Sequence, residues 1–240
     1  MISIIIPTLN EEKVLKETLI NLRTLLKVPH EVIVSDGKST DGTRAIAEQY
    51  ADKLVCFNED RRQTIAEARN MGAAVASGDF YVFLDADVNI PNSTDFFNAL
   101  LKRFGNEPHL VAMAVYLKVY PDEATLADAL FFGLMNHIYY VMNNWLHVGA
   151  AAGEFQMMRA EAFIKVNGYN PKLVAAEDLD LFSRLAKIGN TRIGADLHIL
   201  QSARRVRAVG WPMLLASWTA NTIGMRVFKK AASKEWKPIR

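Results

Sequence analysis

Cysteine is nearly absent from this 240-residue chain: its single thiol, Cys56 in the apolar run KLVCF, leaves no internal disulfide to form. A reducing cytoplasmic compartment is therefore the simplest expectation, with Cys56 as a buried core thiol. An excess of charge of one sign is lacking too. Lys and Arg number 28 against 26 Asp and Glu, so the balance gives no argument for a nucleic-acid partner, and any basic footprint must be local. The five histidines, at 30, 109, 137, 147 and 198, lack the spacing of a zinc site. The opening MISIIIP has no basic region and is cut by Pro7, so it reads as a core strand and not as a secretory signal. Internal repeats, low-complexity tracts and long linkers are missing. Two stretches lack charge altogether, Ala129 to Gly153 and Trp211 to Met225. Polar side chains interrupt both, so neither is expected to span a bilayer, while surface contact with a membrane stays open for each.

What is present is a chain half of whose residues are hydrophobic, enough for a substantial core as one large domain or two tightly joined lobes. Its first third alternates short β-branched runs with helical patterns, which predicts βαβ units and a mostly parallel sheet. Strands are expected at ISIII, at Glu31 to Asp36, at KLVCF and at Phe80 to Leu84. Helices are expected at Leu15 to Leu26, from about Asp41 to Tyr50, and from Gln63 to Ala76. Further on, a strand is expected from His109, then the charge-poor helix, a strand and short helix in GEFQMMRAEAFIKVNGYN, and a helix from Glu177 to Ile188. Sheets of this class bind ligands at the carboxyl ends of their strands. That rule selects Pro7 to Glu11, Asp36 to Asp41, and Asp85 to Asp87.

The stretch FYVFLDADV delivers Asp85 and Asp87 to an exposed strand end with no basic neighbour. Two such carboxylates suit Mg²⁺ or Mn²⁺, which in turn hold a diphosphate. A solvated acidic turn is the competing reading of an isolated pair. Asp36, opening DGKSTDG, can accept hydrogen bonds from a base or ribose, although turn and capping chemistry alone also explains the segment. Arg69, in EARNMGAA, suits phosphate contact or base stacking. Glu177 and Asp178 begin a helix, where acids are favoured by the dipole but where a positioned Asp also serves as a base.

In this order and spacing, PTLNEE, SDGKSTDGT, ARNMGAA and DADV resemble the nucleotide-binding half of the inverting family-two glycosyltransferases of A-type fold. The later GEFQMMRAEAFIKVNGYN and AAEDLDLFSRLAKIG resemble the acceptor half, so the match covers roughly residues 2 to 200. The resemblance implies an α/β fold, a single Rossmann-like domain. It implies that a hexosyl group passes from a nucleoside-diphosphate sugar to a hydroxyl or lipid-phosphate acceptor, assisted by Mg²⁺ or Mn²⁺. Pro7, Thr8, Glu11, Asp36, Arg69, Asp85 and Ala86 would form the nucleotide-sugar site, with Asp85 facing the ribose and Asp87 binding the metal. Asp178 matches the family's base, with Glu177 beside it. The segment QSARRVRAVGW departs from the Gln-x-x-Arg-Trp signature of processive members, which favours a single-addition enzyme. Arg204 and Arg205 are nonetheless expected near the diphosphate.

The expected layout is a transferase domain over 1–205, divided into a nucleotide-binding half, 1–90, and an acceptor half, 91–205. Residues 206–240 are expected to form an amphipathic helix and a basic tail. The helix stripe of Trp211, Leu214, Leu215, Trp218 and Met225 reads two ways: it packs on the enzyme's own core, or it lies on the inner face of a membrane, which would suit a lipid-linked acceptor. Nucleotidyl transfer is the rival enzymatic reading, weakened by the lack of a glycine-rich basic loop after the first strand. A non-catalytic scaffold on a membrane surface is the other.

Overall fold

A computed structural model of the chain describes residues 1–225, and residues 226–240, with the basic positions Lys229, Lys230, Lys234, Lys237 and Arg240, lie outside them. The first half follows the expected alternation: β1 (Ile2–Thr8), α1 (Leu15–Leu25), β2 (His30–Asp36), α2 (Thr43–Tyr50), β3 (Lys53–Cys56), α3 (Ile65–Ala73) and β4 (Phe80–Leu84). Along β1 the side chains alternate between the two faces of the sheet. Ile4 and Ile6 enter one core cluster, with Leu15, Leu19, Val34 and Val82, while Ile5 enters the other, with Ile33 and Phe83. Because both faces are covered, the strand reads as a continuous apolar run instead of an alternating one.

The second half contributes α4 (Ser93–Asn106), β5 (Leu110–Val119), α5 (Leu126–Tyr140) followed by a π-helical turn (Val141–Trp145), β6 (Phe155–Arg159), α6 (Ala160–Lys165), α7 (Glu177–Leu185), β7 (Asn190–Gln201), α8 (Arg204–Val209) and α9 (Trp211–Ile223). All the strands join one sheet of order β3-β2-β1-β4-β6-β5-β7, which runs without a break through both sequence halves. Among the described residues, only β6 runs against its neighbours. Its first residue, Phe155, therefore pairs with the last of β4, Leu84. The residues just before β6 are brought to the edge where β1, β2, β4 and β7 end.

Helix α3 is shorter than its pattern predicts. It starts at a capping box in which Thr64 accepts from the Glu67 amide and Glu67 accepts from the Thr64 amide. The small residues of EARNMGAA have a packing reason, because a Cβ on Gly72 would lie 2.5 Å from Ile5 Cγ2. Cys56 is half-buried, not a core thiol, because β3 is an edge strand with a partner on one side only.

The apolar stripe of α9 faces the body of the protein. Trp211 stacks on Phe131 at 4.5 Å between ring centroids, Leu214 is buried beside it, and Leu215 and Trp218 pack against the same core. Beyond the helix, Met225 is buried with Ala150, Leu173 and Leu179. Asp128 of α5 fastens the segment: it pairs with Arg207 and accepts from the Trp211 indole at 3.0 Å. Of the two readings of this stripe, self-packing is the arrangement found. No helix among the described residues is long and apolar enough to cross a membrane.

Candidate active site

The loop after β1 and the loop after β2 are laced together by side chains. Asn10, in a left-handed conformation at φ 57°, accepts from the Thr40 amide at 2.8 Å, and its own amide donates to Ser39 Oγ at 2.8 Å. The Glu11 amide donates to Thr43 Oγ1, and the Gly42 amide donates to Glu12. Polar residues follow Pro7 because the exposed amides of one loop need partners in the other.

Asp36 is wholly buried beneath these loops. One carboxylate oxygen accepts from the Lys38 and Ser39 amides and from Arg44 Nε at 2.7 Å, while the other receives Thr8 Oγ1 at 3.4 Å. Asp36 therefore shapes the loop floor before anything else. The Ala86 side chain lies in the core, and its carbonyl accepts from the Thr18 hydroxyl.

A cleft opens at the carboxyl edge of the sheet, lined among others by Arg69, Asp85, Asp87, Glu154, Glu177, Asp178, Gln201, Arg204 and Arg205. Residues distant in sequence meet there because β4, β6 and β7 deliver their ends to one place. Pro7, Thr8, Asp36 and Ala86 stand outside this lining, and Glu11 reaches it through Arg204.

Arg69 is the strut of the cleft. It is 1% exposed and donates to Glu177 Oε1 at 2.8 Å, to the Gly153 carbonyl at 2.9 Å and to Asp85 Oδ1 at 3.3 Å, with its guanidinium 5.2 Å from the centre of the Tyr169 ring. The sequence expectation of an arginine near the nucleotide thus meets a side chain committed to protein partners. Its fork needs the space beside Gly153, where a Cβ would come within 2.7 Å of Arg69 Nη2 and 3.4 Å of Asp178 Oδ2.

Asp178 follows Ala176, whose left-handed φ of 59° turns the chain sharply into α7. An alanine in that conformation costs about 1 kcal/mol, a strain of the kind found at functional turns. Burial, with the neighbouring Glu177 charge adding to it, holds the Asp178 carboxyl well above the usual carboxylate range. Asp87 is pushed up to about 6, first by burial and then by the negative charges of Asp85 and Glu11, against the pull of Arg204. Arg204 Nε lies 3.0 Å from Asp87 Oδ2, and Arg204 Nη1 lies 2.9 Å from Glu11 Oε2.

Glu154 escaped the sequence reading. Its carbonyl accepts from the Asp85 amide at 3.2 Å, and burial followed by the charge of Asp85 raises its carboxyl to about 7. The signal for it was topological: only an antiparallel β6 carries the residue before Phe155 to Asp85. His137 and His147, in the charge-poor segment, are exposed and lie outside the cleft lining, whereas Phe132 and Tyr139 belong to it.

Solved structures of proteins in complex with nucleotide sugars share this architecture. The fold superposes on the mannosyltransferase PcManGT of Pyrobaculum calidifontis, solved with GDP-Man and Mn²⁺, with a TM-score of 0.66 at 22% identity, covering 91% of this chain and 64% of that one. It superposes equally on S. aureus TarS in complex with UDP-GlcNAc, with a TM-score of 0.65 at 17% identity over 84% of this chain and 58% of that one. In sequence, residues 3–166 match the family Glycosyl transferase family 2, and the chain belongs to that family. The succinoglycan biosynthesis protein ExoA of Rhizobium meliloti (strain 1021) is 32% identical over 197 residues, covering 78% of this chain. A validoxylamine A glucosyltransferase of Streptomyces hygroscopicus subsp. limoneus is 41% identical over 93 residues, 37% of this chain. The chain spans 58% of the length of ExoA and 20% of the length of the glucosyltransferase.

Proposed function

We propose that this protein transfers a single hexosyl group from a nucleoside-diphosphate sugar to a hydroxyl or lipid-phosphate acceptor, with inversion at the anomeric carbon. The observation that carries this reading is the pairing, in one cleft, of the Asp85 and Asp87 carboxylates with a second carboxylate centre at Asp178, joined by the Arg69 strut. Sugar donors in the complexes of structural relatives support the same assignment.

In this reading Asp178 takes the proton of an acceptor hydroxyl. The hydroxyl oxygen forms the new bond to the anomeric carbon, and the bond to the diphosphate breaks with its electron pair leaving on the phosphate oxygen. A raised carboxyl is a better proton acceptor than an ordinary aspartate once the acceptor is in place. Glu177, clamped by Arg69, holds the start of α7 in register beneath it.

The donor set at Asp87 fits a divalent cation. Asp85 and Asp87 line the same cleft, and hard ions take one or two carboxylates and complete their shell with phosphate oxygens and water. Asp87, with Asp85 beside it, would hold Mg²⁺ or Mn²⁺. Such an ion would offset the charge gathering on the departing nucleoside diphosphate. Arg204 and Arg205 stand at the same edge, where guanidinium groups suit phosphate. In this reading Thr8, Glu11 and Asp36 shape the nucleoside end of the site.

The test is a screen of nucleoside-diphosphate sugars for hydrolysis and for a rise in melting temperature with Mn²⁺. Turnover of at least one donor is the expected result. Consumption of a nucleoside triphosphate in place of any donor would point to nucleotidyl transfer.

A further inference from the structure

The lining of the candidate cleft divides by element. The end of β4 and the start of α8 bring Asp85, Asp87, Arg204 and Arg205, groups suited to a diphosphate and a cation. Helices α5, α7 and α9 bring a different wall: Phe132, Met135, Tyr139, Leu179, Leu214 and Trp218. No lining residue of these three helices is a cation, and Glu177 and Asp178 open α7 beside the wall. A nucleoside-diphosphate sugar is polar along its whole length and has little use for such a surface.

We propose that this wall is the acceptor subsite and that it takes a neutral alcohol with an apolar body, its reacting hydroxyl held between Tyr139 and Asp178. The proposal rests on the sugar-transfer reading above and chooses among the acceptors that reading allows, against a lipid phosphate. The sign of the charge is one argument. An anionic acceptor reaching Asp178 would meet the carboxyls of Glu154 and Asp178, and like charges brought together are costly. Arg69, the guanidinium beside them, is 1% exposed, with Nη1 on Glu177 and Nη2 shared between the Gly153 carbonyl and Asp85. Arg204 and Arg205, the other cations of the lining, extend from α8 into the field of Asp85 and Asp87. The wall itself is the second argument. A polyhydroxylated acceptor would set hydroxyls against Phe132, Met135 and Leu214 with nothing to bond, a loss that an apolar body avoids.

Tyr139 is the polar exception in the wall. Its ring packs with the cluster of Ala150, Leu173, Leu179 and Met225. Burial, followed by the charges of Asp178 and Glu154, pushes its phenol up, so the hydroxyl stays protonated and remains a donor. Among the described residues nothing bonds to that hydroxyl, whereas a tyrosine hydroxyl withdrawn from bulk water normally finds a partner. An acceptor oxygen supplies one: it accepts from Tyr139 while its own proton is directed at the Asp178 carboxylate. Tyr139 thus positions the hydroxyl from which Asp178 takes the proton.

The test is titration calorimetry of the full chain, without donor, against three probes: 1-octanol, octyl phosphate and methyl β-glucoside. Octanol is expected to bind at least about tenfold more tightly than either of the others. Met135→Gln should weaken octanol binding, and Leu130→Gln/Leu134→Gln, on the exposed side of α5, should leave it unchanged. Tyr139→Phe keeps the ring and should weaken octanol binding by about three- to tenfold. Its melting temperature and its affinity for a nucleoside-diphosphate sugar with Mn²⁺ should stay those of the parent, a split that a merely structural tyrosine would not give. Octyl phosphate or methyl β-glucoside binding as tightly as octanol would overturn the proposal, the first for an anionic acceptor and the second for a saccharide. Octanol affinity unchanged in Tyr139→Phe, or lost in the Leu variant, would overturn it as well. Turnover of a donor by a chain that does not bind octanol would refute this subsite alone, and octanol binding by a chain that turns over no donor would refute the transfer reading alone.

Discussion

Arg69 Nη1 lies 2.8 Å from Glu177 Oε1, across 108 positions of sequence and between buried side chains. This contact joins the two halves of the cleft: Arg69 also holds Asp85, and Glu177 precedes Asp178. Losing one partner of a buried ion pair typically costs about 3–5 kcal/mol, because the other charge is left without compensation. Arg69→Ala should therefore lower stability by about that amount in denaturant unfolding. Arg69→Lys should recover only part of it, since a single ammonium cannot replace a fork that serves three acceptors.

Gly153→Ala is a smaller change at the same point. Its Cβ would press on Arg69 Nη2 from 2.7 Å, and accommodating such an overlap in a packed interior costs about 1–3 kcal/mol. Thermal melts should show the loss, and turnover should fall further than stability because Asp85 and Asp178 are displaced together.

If Asp87 holds the cation as proposed, Arg204 would compete with it for the same carboxylate, given the 3.0 Å separation of Arg204 Nε from Asp87 Oδ2. Arg204→Ala should therefore bind Mn²⁺ alone more tightly than the parent, as read by titration calorimetry without nucleotide. The same variant should bind nucleoside diphosphate with Mn²⁺ more weakly, having lost a guanidinium at the phosphate edge. An unchanged Mn²⁺ affinity would remove Asp87 as the metal-binding carboxylate.

Stability at acid pH should carry the signature of Glu31. Against the cost of burial, Lys53 at 2.7 Å, Ser3 and Ser77 bring its carboxyl down to about 2. A depressed acid stabilises the fold above its unfolded value and loses that contribution as pH falls through the folded value. The loss should thus develop from about pH 4.5 down to about 2, and it amounts to roughly 3 kcal/mol. Glu31→Gln should flatten the stability profile in that window and leave the neutral-pH profile without a new slope.

The parallel half of the fold was legible because a strand buried on both faces has to be β-branched and short, and the helices between have to show one apolar stripe. The acids at the end of β4 were legible for the same reason, since a carboxylate cannot follow FYVFL unless the strand has ended. Strand β7 was not seen. Gly194 and Asp196 interrupt its alternation, and its pairing with β5 is broken by register shifts, so no period of two survives in the sequence. Arg69 was legible as important but not in its surroundings, because burial under Tyr169 is a property of the packed fold. Glu154 depended on the direction of one strand. The charge-poor α5 was legible as a helix not expected to span a bilayer, but not in which of its sides is covered, because one-sided burial of an all-apolar helix leaves no trace in composition.

The base assignment at Asp178 is the claim on which the account turns, and Asp178→Asn tests it most directly. The amide keeps the shape of the side chain and cannot accept the proton, so donor affinity should stay within a few-fold of the parent while transfer falls by about 10²- to 10⁴-fold. The measurement is single-turnover transfer from a bound nucleoside-diphosphate sugar, with donor affinity determined in parallel. Full transfer by the Asn variant, with donor binding intact, would contradict the account and assign the proton to another group in the cleft, or to none.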